Sequence, residues 1–149
     1  MDVGGGPGSH AGVWAEHGIE AYVLDPGAAM VMAAGRRRGV ASIRSRSQTM
    51  PLRDDSMHLV YFHLSIHYGN WRAALDEARR VLAPGGVIWI WTLGPDHHAS
   101  SFLQRWFPRV EGLDRGRFPD PKTLAAQRVI VHGKKDVIGL IGTKPAHIM

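Results

Sequence analysis

An aspartate followed by glycines at alternate positions opens the chain: Asp2, Gly4, Gly6 and Gly8 in "DVGGGPG". So dense a run of glycine, with Pro7 inside it, does not continue a helix or a strand. Glycine gives up the most conformational freedom on ordering, and proline has no backbone N–H to donate. The stretch reads as a tight turn that brings the backbone close to a ligand. A second acid, Asp25, closes the next apolar run, "AYVLD", seventeen residues after Gly8.

Two ligand classes use such turns. The dinucleotide fingerprint can be laid on Gly6, Gly8 and Ala11, but a run this rich in glycine satisfies many patterns. An acid ahead of the glycines is unfavourable beside a pyrophosphate, where like charges repel. It is favourable beside an ammonium or a sulfonium. The spacing therefore favours a positively charged nucleoside such as S-adenosylmethionine over a nicotinamide dinucleotide.

The elements that must position these residues alternate. Ser9 opens a helix closed by Gly18, and Ile19 to Leu24 form a strand stopped by Pro26. "GAAMVMAAGRRRG" is a short helix ending near Gly35 or Gly39, "VASIRS" a third strand, and "MHLVYFHL" a fourth, apolar enough for burial on both faces. Asn70 caps the clearest helix, with Trp71, Ala74, Leu75, Ala78, Val81 and Leu82 at helical spacing. After the "APGG" turn, "VIWIWTL" is a buried strand, with Trp89 and Trp91 assigned to the core. "HASSFLQRWF" and "PDPKTLAAQ" read as helices; Val129–Val131 and Val137–Ile141 read as an antiparallel hairpin around "HGKKD". The pattern predicts an α/β fold: a Rossmann-like, doubly wound, mostly parallel sheet with a C-terminal antiparallel hairpin.

With 149 residues the chain has the length of one domain, with core motifs over residues 2–93 and a variable part over 94–149. The 44% hydrophobic and 21% charged fractions are those of a globular protein. No apolar run is long enough to span a bilayer, and no basic region followed by an apolar run marks a signal peptide. The absence of cysteine excludes disulfides, thiolate metal sites and cysteine nucleophiles, and accords with a cytoplasmic location. His97 and His98 lack the partners of a metal site, so no metal is assigned. The net charge of +5 centres on Arg36, Arg37, Arg38, Arg44 and Arg46. The first three follow a helix, where cations meet the negative end of the dipole. Nucleic acid is not indicated, because no aromatic stacking pattern accompanies the cluster. Oligomeric state is not readable.

Four segments, in order, carry a family resemblance: "DVGGGPG", "AYVLDP", "TMPLRDDSMHLVYFHLSIHY" and "ALDEARRVLAPGGVIWI". Together they resemble the class I S-adenosylmethionine-dependent methyltransferases, of the type 11 group. The resemblance implies S-adenosyl-L-methionine as cofactor and methyl transfer to an acceptor, with a small molecule as the default. It implies that Gly4, Gly6 and Gly8 pass against the methionine part, that Asp2 holds its ammonium, and that Asp25 takes both ribose hydroxyls. Ser47 and Gln48 would reach the adenine, and Phe62 and His63 would line the cofactor near its sulfonium. His63 and His67 are the candidate general bases, needed only for an acceptor that must lose a proton.

Two departures from the family accompany the match. Relatives carry a helix and a full first strand ahead of the glycines, whereas here Met1 directly precedes Asp2, so this reading expects a chain shortened at its N-terminus. Where relatives often place an aspartate for the adenine amino group, this chain has Arg46, and His58 replaces the aspartate that commonly begins strand four. A non-catalytic, methyltransferase-like binding module and an NAD-dependent oxidoreductase are the alternatives.

Overall fold

A computed structural model describes residues 1–93, 117, 119, 122–123, 130–134 and 137–143. The helices expected over "HASSFLQRWF" and "PDPKTLAAQ" lie largely outside the described residues. Among the described residues the elements follow in the order β1 (Asp2–Val3), α1 (Ser9–Glu16), β2 (Ala21–Asp25), α2 (Ala28–Gly35), β3 (Val40–Arg44), β4 (Met57–His63), α3 (Trp71–Val81), β5 (Leu82–Leu93), β6 (Ile130–Lys134) and β7 (Val137–Thr143).

They build one sheet of order β3-β2-β1-β4-β5-β7-β6. The first five strands in that order run parallel. The order reverses at β1, which lies between β2 and β4, so the crevice above β1 is a switch point of the topology. β7 pairs antiparallel with β5, and β6 antiparallel with β7; residues 135 and 136 between them lie outside the described residues. β6 runs through His132 to Lys134, which the sequence assigned to a turn.

Two cores flank the sheet, and neighbouring residues of β2, Val23 and Leu24, enter different ones. Val3, Leu24, Phe62, Ile88 and Ile90 pack with Trp71, Leu75, Ala78 and Val81 of α3. Val23 and Ala21 pack with Ala11 of α1 and Ala34 of α2. Helices thus cover both faces, as the alternation of strands and helices predicts. α3 is the best specified: its buried residues follow the helical period, and the Asn70 side chain accepts from the N–H groups of Arg72 and Ala73 at 3.1 and 3.3 Å.

Three local expectations are corrected. Gly8, not Ser9, is the N-cap of α1; at φ 75° it lies in a left-handed conformation that suits glycine. "APGG" is a bulge within β5 rather than a turn ahead of it. Met57 and Leu59 of β4 pair with Leu82 and Val87, so one intervening residue on β4 faces four on β5. The third concerns the strand-five tryptophans. Ile88 and Ile90 are buried, but Trp89 and Trp91 are 42% and 40% exposed. They point to the opposite face, beside Tyr61 and His63, whereas α1 and α2 pack over β2 and β3.

Candidate cofactor site

The turn after β1 is held from two sides. The Gly4 N–H donates to the carbonyl oxygen of Leu24 at 2.7 Å, and the Gly6 N–H donates to Oδ2 of Asp25 at 3.1 Å. Oδ1 of Asp25 accepts the Gly27 N–H at 2.8 Å. One carboxylate therefore fixes the start of the next helix and the glycine turn together.

The glycines do different work. At Gly4, φ is 70°, and a Cβ would sit 2.5 Å from Cβ of Ser65. Ser65 is itself fixed, its hydroxyl donating to the carbonyl oxygen of Val3 at 2.5 Å. Its approach depends on Leu64, which takes a left-handed φ of 51° at the end of β4, an uncommon conformation for a leucine. Gly8 faces Ala34 and Val23, where a Cβ would meet them at 3.1 and 3.3 Å, so its missing side chain serves helix–strand packing.

Above the turn lies a cavity of about 790 Å³, within the size range of small-molecule and cofactor sites. It crosses the carboxyl ends of four strands. Val3 and Gly4 contribute from β1, and Leu24, Asp25 and Pro26 from β2. Arg46, Ser47, Gln48 and Thr49 follow β3; Ser65, Tyr68, Gly69 and Asn70 follow β4. The β3–β4 loop is tied down by Arg80 of α3, whose guanidinium donates to the carbonyl oxygens of Met50 and Leu52 and to the carboxylates of Asp54 and Glu77. Glu77 in turn accepts the Met50 N–H at 2.7 Å, and its Arg80 partner holds its carboxyl below the usual range.

Of the residues singled out from sequence, the cavity gathers Gly4, Asp25, Ser47 and Gln48. Gly6 supports it through Asp25. The others are elsewhere. Phe62 is fully buried in the core against α3, because it alternates with its neighbours on β4, and a ring without exposed surface cannot touch a ligand. His63 points to the opposite face, 4.5 Å from the His10 ring and stacked on Tyr61; burial and then His10 lower its pKa. His67 is buried, with its ring 4.2 Å from that of Tyr68, and does not line the cavity.

Asp2 is fully buried and does not line the cavity. Its carboxylate lies under Gly5, where a Cβ would stand 2.6 Å from its Cγ. Both oxygens lack a hydrogen-bond partner among the described residues, and Nδ1 of His10 is 3.8 Å away. Burial raises its pKa to about 6, against the opposing pull of His10 and the N-terminal amine.

Ser65, Tyr68 and Gly69 went unnoticed in the sequence. The segment that carries the resemblance runs on to Tyr68, but nothing in it foretells the kink at Leu64 that turns the next residues back over the glycine turn. Among the described residues, no cluster of three or more histidines or acids could hold a metal ion, and no helix is long and apolar enough to cross a membrane.

A glycine turn and an acid at adjoining strand ends, roofed by the loop after β4, form an arrangement that can be compared with known proteins. Residues 1–90 match the family described as "Methyltransferase domain". The chain belongs to that family. Among curated relatives, the malonyl-[acyl-carrier protein] O-methyltransferase of Enterobacter lignolyticus is 31% identical over 122 residues, covering 70% of this chain and 49% of that protein. The protein of the same description from Pseudescherichia vulneris is 29% identical, covering 84% and 50%. The chain spans about half the length of the curated relatives it matches.

Solved structures agree with this methyltransferase fold. An S-adenosylmethionine-dependent methyltransferase from Mesorhizobium loti superposes with a TM-score of 0.74 at 17% identity, over 96% of this chain and 89% of that one. Geranyl diphosphate C-methyltransferase from Streptomyces coelicolor, solved with S-adenosyl-L-homocysteine, gives 0.73 at 14% identity, over 96% and 69%.

Proposed function

We propose that this methyltransferase chain binds S-adenosyl-L-methionine in the cavity above β1 and directs its methyl group to an oxygen of a small acyl or other small-molecule acceptor. The observation that carries the reading is Asp25. It is the one carboxylate lining the cavity among the described residues, and it sits at the switch point with the glycine turn bound to it. Each of its oxygens accepts one backbone N–H and keeps capacity for another donor, which suits a pair of ribose hydroxyls.

The chain's own residues supply position more than chemistry. Gly4 and Ser65 form a floor on which a methionine moiety can rest. Asp2, beneath Gly5 and without a hydrogen-bond partner among the described residues, adds negative potential under the same turn, complementary to an ammonium or sulfonium. The bound cofactor supplies an activated methyl on a good leaving group, so the protein's task is to align the acceptor with it.

The activity named for the curated relatives, O-methylation of malonyl-[acyl-carrier protein], supports an acyl carboxylate as acceptor class. A carboxylate is already ionised at neutral pH and needs no general base. That accords with a cavity that neither His63 nor His67 lines.

Isothermal titration with S-adenosylmethionine, S-adenosylhomocysteine and NAD tests this reading. Binding of both sulfur compounds without NAD is the expected result. Binding of NAD alone, or of none of the three, would contradict it.

A further inference from the structure

The end of the cavity under the loop after β3 carries one formal charge, the guanidinium of Arg46. Arg46 is exposed, and its side chain makes no hydrogen bond or ion pair among the described residues. A guanidinium offers five N–H donors and no acceptor. Beside it, the hydroxyls of Ser47 and Thr49 can donate or accept. The amide nitrogen of Gln48 is turned to the carbonyl oxygen of Tyr68, at 3.5 Å, leaving its oxygen as an acceptor, while Oδ1 of the other lining amide, Asn70, accepts the N–H groups of Arg72 and Ala73. The sole carboxylate, Asp25, belongs to the neighbouring strand end and is engaged by Gly6 and Gly27.

A 6-aminopurine presents a donor, its amino group, next to the N7 acceptor. A 6-oxopurine presents two acceptors there, O6 and N7, which match the fork of an arginine. An arginine facing an amino group sets donor against donor. We propose that the base end of this cavity reads a purine through its acceptor atoms and takes a 6-oxopurine nucleoside about as well as a 6-aminopurine, with Arg46 as the specificity-determining residue. The inference rests on the nucleoside site proposed above and adds the identity of the base to it.

Calorimetric titration with S-adenosyl-L-homocysteine and S-inosyl-L-homocysteine tests it, on the unmodified chain and on Arg46→Asp. Arg46 lies on an exposed loop and supports no other residue, so the variant should fold. In the unmodified chain the inosyl compound is expected to bind no more than about threefold more weakly than the adenosyl compound. In Arg46→Asp, where the new carboxylate can accept from the amino group, the adenosyl compound should gain about tenfold over the inosyl one. A preference for adenosyl beyond threefold in the unmodified chain overturns the inference and leaves the cofactor reading standing. So does an unchanged ratio in the variant. Failure of both compounds to bind overturns both.

Discussion

Gly6 and Asp25 are joined across two strands: the glycine N–H meets Oδ2 at 3.1 Å, while Oδ1 holds Gly27 at 2.8 Å. The carboxylate that faces the cavity is therefore also the one that shapes its floor. Asp25→Ala is expected to weaken S-adenosylmethionine binding by about 1.5–3 kcal/mol, the usual worth of hydrogen bonds to a charged group. Its thermal midpoint should fall as well, because two backbone donors lose their acceptor. Calorimetry and a melting curve read the two effects, and an unchanged affinity would show that Asp25 does not contact the ligand.

Gly4 and Ser65 make a second linked pair. Gly4→Ala combines a left-handed φ with a Cβ placed only 2.5 Å from Cβ of a serine fixed by its own hydrogen bond. A loss of about 2–4 kcal/mol in urea unfolding is expected. Removing the obstacle in Ser65→Gly should return about 1 kcal/mol or more in a double-mutant cycle. Strict additivity would mean that the two positions do not press on one another.

Asp2 gives the fold an unusual dependence on pH. Its carboxyl titrates at about 6 in the folded chain against 3.8 ordinarily, so between those values the folded state holds a proton that the unfolded state has lost. Stability therefore falls as pH rises from about 4 to about 6, by about 3 kcal/mol from this group. Asp2→Asn should flatten that limb and be the more stable protein at pH 7. Urea unfolding at pH 4.5 and pH 7 on both chains checks it; parallel profiles would contradict a buried carboxylate without a hydrogen-bond partner.

Arg80 ties the cavity-forming loop to α3 through Met50, Leu52, Asp54 and Glu77. Arg80→Met keeps the stem and removes every donor. It should cost about 2–4 kcal/mol, since Glu77 and two carbonyl groups lose their partner. Cofactor affinity should drop too, because residues 46–49 belong to the same loop. A destabilised variant that still binds normally would separate the loop's anchoring from the site.

The sequence was most legible where local chemistry decides structure. Asn70 and the apolar spacing of α3 specify that helix completely, and the Asp25–Pro26 stop marks the end of β2. Faces were harder to read. Trp89 and Trp91 look like core because "VIWIWTL" is apolar throughout, yet which face a helix covers is settled by packing across the whole sheet. The family resemblance puts Phe62 and His63 beside the cofactor, but the pleat sends one to each side of the sheet and neither lines the cavity. Asp2 was drawn toward a ligand by its charge, and the same pleat turned it beneath the loop. Ser65 and Tyr68 became visible only through the left-handed turn at Leu64, for which a leucine gives no signal.

The central claim is that the crevice above β1 holds S-adenosylmethionine, and amide chemical shifts during a titration locate the ligand directly. The N–H signals of Gly4, Gly6, Gly27, Ser47 and Gly69 are expected to move together and saturate, while those of His10, Trp89 and Trp91 on the opposite face stay in place. Saturating shifts confined to that opposite face, or no shift among the five, would contradict the account.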